Sequence, residues 1–205
     1  MAPAAVSDAA ANRVGSTESG APAVPIVVPV LRTARLLLGP YTESDVPDIV
    51  RLAGAREIFD TTLSIPHPYE PAHAYGYFAF AAAEHAHGTG LHLAVRVLED
   101  LRLIGGIGLK DIERERMEAE LGYWIGVEYW NRGYATEAAA AVVRHGFAVL
   151  DLARIHAHHL ARNPASGRVL ERIGMGRERE VRQPSPKDGE LEDVVYYSML
   201  RDDLR

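Results

Sequence analysis

The sequence predicts an α/β chain, a mixed sheet with helices packed on both of its faces. Strand-like and helix-like runs follow one another in the order β, α, α, three strands, α, β, α, β, β. Gly, Pro and Asn stand between these runs at positions where helices and strands end. A chain of 205 residues that is 47% hydrophobic is also large enough for one domain with a sizeable core.

Taken in order, residues 1–28 are rich in Ala, Pro, Ser and Gly and read as a disordered tail, with 29–205 as the folded domain. Pro25 and Pro29 make the apolar stretch 24–30 a poor helix and at best an edge segment. A short strand is expected over 34–38, ended by Pro40. Thr42-Glu43-Ser44-Asp45 supplies a helix start, and Ile49, Leu52 and Ala53 give that helix its apolar stripe. A second helix runs from Pro71 to His87, where Gly88 and Gly90 stop it. Strands follow at 91–97, 101–109 and 118–127. An alanine-rich helix then reaches about Leu150, and 153–160 is the next strand. Asn163 caps a further helix with Pro164 in its first position and Gly174 just past its end. Two strands, 175–181 and 191–200, close the chain around a loop holding Pro184 and Pro186.

Composition removes several function classes. The net charge of -6 leaves no basic footprint for nucleic acid. The absence of cysteine excludes disulfides, thiolate catalysis and cysteine-ligated metal. No apolar run is long enough to span a membrane, and the start of the chain lacks a secretory pattern, so the cytoplasm is the expected compartment. His156, His158 and His159 lie on one expected strand, with His156 and His158 on the same face. No third ligand is evident, and no metal is expected.

The most informative stretch is Trp130-Asn131-Arg132-Gly133-Tyr134-Ala135-Thr136-Glu137-Ala138, between a strand and a helix. The first N–H groups of a helix lack intrahelical partners, and the macrodipole adds positive charge there. A diphosphate suits such a place, and Gly133 lets the backbone approach it. Gly105-Gly106-Ile107-Gly108 lacks the later glycine of a dinucleotide fingerprint and lies within a strand.

The order of elements and several motifs resemble the GNAT superfamily of acyl-CoA-dependent N-acyltransferases. The motifs are Leu31-Arg32-Thr33-Ala34-Arg35-Leu36, Leu103-Ile104-Gly105-Gly106-Ile107, Glu120-Leu121-Gly122-Tyr123-Trp124, the Gly133-Tyr134-Ala135-Thr136-Glu137-Ala138 run, Asn163-Pro164-Ala165-Ser166 and Leu170-Glu171-Arg172-Ile173-Gly174-Met175. They are collinear over residues 31–200, and the branch they resemble most is that of the ribosomal-protein N-terminal alanine and serine acetyltransferases. Trp130 stands where many members of the superfamily carry Gln or Arg.

The resemblance implies a mostly antiparallel sheet of six to seven strands flanked by about four helices. It implies acetyl-CoA as donor and an amine as acceptor, with direct attack in a ternary complex. The diphosphate falls to the backbone of Arg132, Gly133, Tyr134, Ala135 and Thr136, and the pantetheine arm to the backbones of Ile125 and Val127 and to Asn163 and Ser166. Glu120 is the candidate base, acting directly or through water, and a strand-start carboxylate with a structural role is its plain reading. Ser166 is the candidate hydrogen-bond donor to the leaving thiolate, or a residue that satisfies local groups at the helix start. His67, Tyr69, Tyr75 and Phe78 would wall the acceptor site. The acceptor is a protein N-terminus or a small-molecule amine; a non-catalytic acyl-CoA-binding module and an aminoglycoside-type acetyltransferase are the alternatives. Exposed strand edges allow a homodimer, which is frequent in this branch.

Overall fold

The structure is a computed structural model in which residues 24–185 and 189–204 are described. Eight strands form one sheet: β1 (Leu31–Arg32), β2 (Leu36–Gly39), β3 (Leu91–Val97), β4 (Leu103–Glu113), β5 (Glu118–Ile125), β6 (Arg154–Leu160), β7 (Gly176–Pro184) and β8 (Leu191–Leu200). Their spatial order is β1-β2-β3-β4-β5-β6-β8-β7. Five α-helices accompany them: α1 (Val46–Ala53), α2 (Arg56–Thr61), α3 (Pro71–His87), α4 (Tyr134–Ala148) and α5 (Pro164–Arg172). The mixed α/β architecture is the one the sequence predicts, with one more strand (β1) and one more helix (α2).

Residues 1–23 of the expected tail lie outside the described residues. Further along, the Ile26 side chain is buried and its N–H donates to His85 O at 2.8 Å, so the chain already rests on α3 there.

Residues 91–95 of β3 and 103–109 of β4 are buried without interruption. Apart from His92, these buried stretches are apolar and glycine residues throughout, because both of their faces are covered. One cover is α1 with α3; Tyr41, stacked on Phe78 of α3 at 5.3 Å, lies against Gly106 of β4. The opposite cover is α4. At Gly146 a Cβ would stand 2.8 Å from Leu109 and 2.9 Å from Ile155, so this glycine lets α4 lie close to β4 and β6.

Local chemistry sets the helix ends. Gly88 takes the left-handed conformation (φ 71°) that stops α3. Asn163 Oδ1 accepts from Ser166 N–H at 3.3 Å, and Pro164 opens α5. Gly133 precedes α4 with φ 79°, a conformation a Cβ resists.

Every neighbouring pair of strands is antiparallel except β5 and β6. These two run parallel and pair only at Glu118–Arg154, Ala119–Ile155 and Glu120–His156. Beyond that point β5 continues to Ile125 and β6 to Leu160 without pairing, so the sheet splits in its middle.

β4 runs to Glu113 rather than to Leu109, and β7 to Pro184 rather than to Val181, taking in a proline of the expected loop. The strand expected to reach Val127 ends at Ile125; Val127 begins a 3₁₀ turn through Tyr129. Gly126 packs against Leu52 of α1, where a Cβ would lie 2.7 Å away, and the chain turns there.

Candidate active site

Gly126 N–H donates to Ile104 O at 2.8 Å, and the register pairs Gly106 with Trp124 and Gly108 with Gly122. The even-numbered residues of β5 therefore direct their backbone groups at β4. Leu121, Tyr123 and Ile125 turn theirs toward β6, across the split. Over residues 121–125 this edge is open to an extended, amide-bearing ligand. Ile125 O already accepts from Trp130 Nε1 at 2.5 Å, which leaves its N–H as the group facing the split. Tyr123 belongs to this edge and was not singled out from the sequence. Val127, singled out with Ile125, sits on the 3₁₀ turn past the strand end.

Past that turn the chain enters α4. Glu137 N–H is the first to find its helical carbonyl, on Gly133 at 3.1 Å. The N–H groups of Tyr134, Ala135 and Thr136 in the first turn precede it and have no intrahelical acceptor. Thr136 Oγ1 is buried with no hydrogen-bond partner among the described residues, which a phosphate oxygen would supply. Arg132 is exposed, its guanidinium 5.8 Å from the Tyr129 ring centroid and in no ion pair among the described residues. This donor set suits a diphosphate.

Arg35 and Glu137 hold the loop in shape. Glu137 accepts from Thr33 Oγ1 at 2.6 Å, Arg35 N–H at 2.8 Å and Arg35 Nε at 2.7 Å. Burial alone would push its carboxyl up; the bonds from Thr33 and Arg35 outweigh it and hold the group below the usual carboxylate range. Arg35 Nη1 also donates to Arg132 O at 2.9 Å, and its guanidinium stacks over Tyr134 at 4.8 Å.

The two faces of the split carry different chemistry. On the α4–α5 face, Tyr123 Oη lies 2.8 Å from Ser166 Oγ, and burial raises the Tyr123 phenol well above its ordinary value. Asn163 is engaged at both ends of its amide, capping α5 through Oδ1 and donating from Nδ2 to Thr61 O at 3.2 Å. On the α1–α3 face, strand alternation places Glu120, Gly122 and Trp124 together. Lys110 Nζ and His158 Nδ1 both approach Glu120 Oε1, at 2.8 and 3.3 Å. Gly122 leaves open space there: a Cβ would meet only Lys110 Cε, at 3.8 Å.

The four residues expected to wall the acceptor site each rest on a neighbouring ring. Phe78 packs on Tyr41, whose buried hydroxyl has no hydrogen-bond partner among the described residues and lies beside Trp124 over Gly106. Tyr69 stacks on His73 at 5.4 Å, and burial pushes its phenol up to about 12. His67 stacks on Phe59 at 5.9 Å. Tyr75 is 51% exposed and touches Phe78 edge-on at 6.4 Å. Tyr41 escaped the sequence reading because it sits in a loop, with no periodicity to mark its direction. Among the described residues, no group of three or more His, Asp or Glu side chains could hold a metal ion.

A mixed sheet split between two parallel strands, with a strand–turn–helix connection beside the split, is the fold of an acetyltransferase class. The chain belongs to the acetyltransferase (GNAT) domain family, whose model matches residues 35–176. It is 30% identical over 173 residues to the uncharacterized N-acetyltransferase YoaA of Bacillus subtilis, covering 84% of this chain and 97% of that protein. It is 26% identical over 120 residues to the ribosomal protein uS5-alanine N-acetyltransferase of Escherichia coli, covering 58% and 62%. The structure superposes with a TM-score of 0.75 on Mycobacterium smegmatis RimJ in complex with CoA-disulfide, at 21% identity over 86% of this chain and 88% of that one. The relatives thus include the ribosomal-protein branch that the motifs resemble.

Proposed function

We propose that this protein transfers an acetyl group from acetyl-CoA to a primary amine, by direct attack within a ternary complex. The observation that carries the reading is the open β5 edge leading straight into the α4 anion loop. One continuous stretch, residues 121–136, then offers strand-type partners to the pantetheine amides and helix N–H groups to the diphosphate.

On this reading the N–H of Ile125 faces the thioester carbonyl and stabilises the charge that grows on its oxygen, a contribution of about 10²–10³ in rate. The amine nitrogen attacks the carbonyl carbon, the C–S bond breaks, and the thiolate departs with the electron pair. Ser166, hydrogen-bonded to Tyr123, is the donor toward that sulfur. The amine's proton passes toward Glu120, directly or through an intervening group. Tyr41, Phe78 and Trp124 form the apolar wall beside Gly122 where the amine arrives. A protein N-terminus is the favoured acceptor, since a relative acts on a ribosomal-protein alanine.

The test is thiol release from acetyl-CoA with peptides beginning in Ser, Ala, Thr or Met, with polyamines and with aminoglycosides. Acceptor-dependent release from the peptides supports the reading. Thermal stabilisation by acetyl-CoA with no release from any amine would favour a binding module instead. Gly133→Glu is expected to abolish that stabilisation, because it sets a carboxylate against the diphosphate at a backbone angle that disfavours any side chain.

A further inference from the structure

We propose that His158 is the general base of the transfer, and that Glu120 is the carboxylate that orients it. This rests on the acetyltransferase reading above and names the group that stands between the amine and Glu120.

Position comes first. The β5–β6 pairing ends at Glu120 and His156. His158 lies two residues further along β6, on the same face as Glu120 and just where the strands have parted. The gap left by Gly122 is on that face too, so an amine entering beside Trp124 meets His158 from the α1–α3 side.

Orientation comes second. Nδ1 of His158 faces Glu120 Oε1 at 3.3 Å, and the side chain stays 17% exposed. A carboxylate at ion-pair distance from Nδ1 favours a proton on that nitrogen and leaves Nε2 as the lone pair. Nε2 has no hydrogen-bond partner among the described residues. The other oxygen claim on Glu120 comes from Lys110 Nζ at 2.8 Å, so Oε1 is addressed by two cationic or donor groups already. That suits an orienting carboxylate more than one receiving a proton itself.

Charge comes third. The ionisable groups near His158 are Glu120 from β5, Lys110 from β4, His156 and, on the opposite face, His159 from its own strand, and Tyr196 from β8, whose ring is 5.5 Å away. Arg179 of β7 lies over that tyrosine ring at 4.5 Å. Burial lowers the His158 imidazole, Glu120 works against it, and Lys110 and the neighbouring histidines add to the lowering. The balance favours the neutral ring, the form that can take a proton.

The step balances. As the nitrogen bonds to the carbonyl carbon and the thiolate leaves, the N–H proton moves to Nε2. The imidazolium formed keeps its Nδ1–H toward Glu120, whose charge offsets it. After the amide and the thiolate depart it returns the added proton to water, from which the thiolate takes up one.

The experiment compares wild type, His158→Asn and Glu120→Gln by kcat over pH 5–9, with acetyl-CoA thermal shifts as the check of folding. Asparagine keeps a donor where Nδ1–H stood. His158→Asn is expected to keep the thermal shift and lose about 10²–10⁴ in kcat at pH 7. It is also expected to lose the acidic limb, which in wild type has its midpoint below the ordinary imidazole value of 6.5. Glu120→Gln is expected to keep a limb displaced to lower pH, since the carboxylate favouring the imidazolium is gone. If His158→Asn retains kcat and the limb while Glu120→Gln loses both, Glu120 is the base and the proposal is overturned. Wild type that releases no thiol with any amine overturns the transferase reading itself, a result distinct from a failure of His158 alone.

Discussion

Thr136 and Glu137 are neighbours with opposite hydrogen-bond situations, and each gives a measurable consequence. The Thr136 hydroxyl is buried without a partner among the described residues, so Thr136→Val replaces an unsatisfied group by a methyl of the same shape. The free protein is expected to be unchanged or slightly more stable in urea. Affinity for CoA, measured by calorimetry, is expected to fall about 5–10-fold, the worth of one hydrogen bond near 1 kcal/mol. An unchanged affinity would remove Thr136 from the site. Glu137, by contrast, is saturated, and its folded-state carboxyl titrates below its ordinary 4.5. A group lowered in the folded state stabilises above its unfolded value, and that contribution disappears as pH falls through the folded one. Glu137→Gln is expected to lower stability by about 1–2 kcal/mol at pH 7, with the gap from wild type closing as melts are taken from pH 4.5 downward. A gap that stays constant from pH 7 to 3.5 would show that the charge is not what matters. The Gly133 turn was legible in the sequence because glycine before a helix has few other uses. The clamp on it was not, since nothing local says that Thr33 and Arg35 meet a residue a hundred positions away.

Among the elements, those bounded by strong local signals were read nearly to the residue. α3 lies between Pro71 and Gly88 and α5 between Asn163 with Pro164 and Gly174, and both sets of signals act through backbone chemistry that needs no tertiary partner. α2 and β1 were missed for the converse reason. Six residues of helix and two of strand are too short to show a period, and both exist because of what they touch. Beside α2, Arg162 Nε donates to Asp60 O at 3.0 Å and Asn163 Nδ2 to Thr61 O at 3.2 Å. Asn163 thus joins two elements, and its two roles separate by mutation. Asn163→Asp retains the cap and loses the donor to Thr61, whereas Asn163→Ala loses both. The alanine variant is expected to lose about 1–2 kcal/mol in urea unfolding and the aspartate variant less than half of that. Equal losses would mean that the tie to α2, and not the cap, is what Asn163 contributes. His158 shows the same limit from the functional side. Its strand and face followed from alternation, but its nearness to Glu120 depends on which strand β5 pairs with and where that pairing stops.

At the scale of the whole molecule the sheet is two half-sheets joined by three residue pairs. β1 to β5 carry α1 and α3 on one face, and β6, β8 and β7 complete the other half with α5. The helices α4 and α5 and the Arg162–Asp60 and Asn163–Thr61 contacts span the seam, but the backbone edges at 121–125 and 157–160 face each other unpaired. An amide-bearing ligand lying in the split would supply to β5 the hydrogen bonds that β6 does not. Binding should therefore change protection locally and stability globally. At a CoA concentration about 100 times its dissociation constant, linkage adds about 2.7 kcal/mol. For a domain of this length that is a rise of roughly 5–11 °C in melting temperature. Hydrogen exchange is expected to slow at Tyr123, Ile125 and the first turn of α4, with β7 and the β1 edge little changed. The same thermal rise with protection concentrated on β7 and β8 would place the ligand elsewhere on the sheet. Protection confined to α4, with none at Tyr123 or Ile125, would reduce the site to a phosphate-binding helix start and leave the split without its occupant.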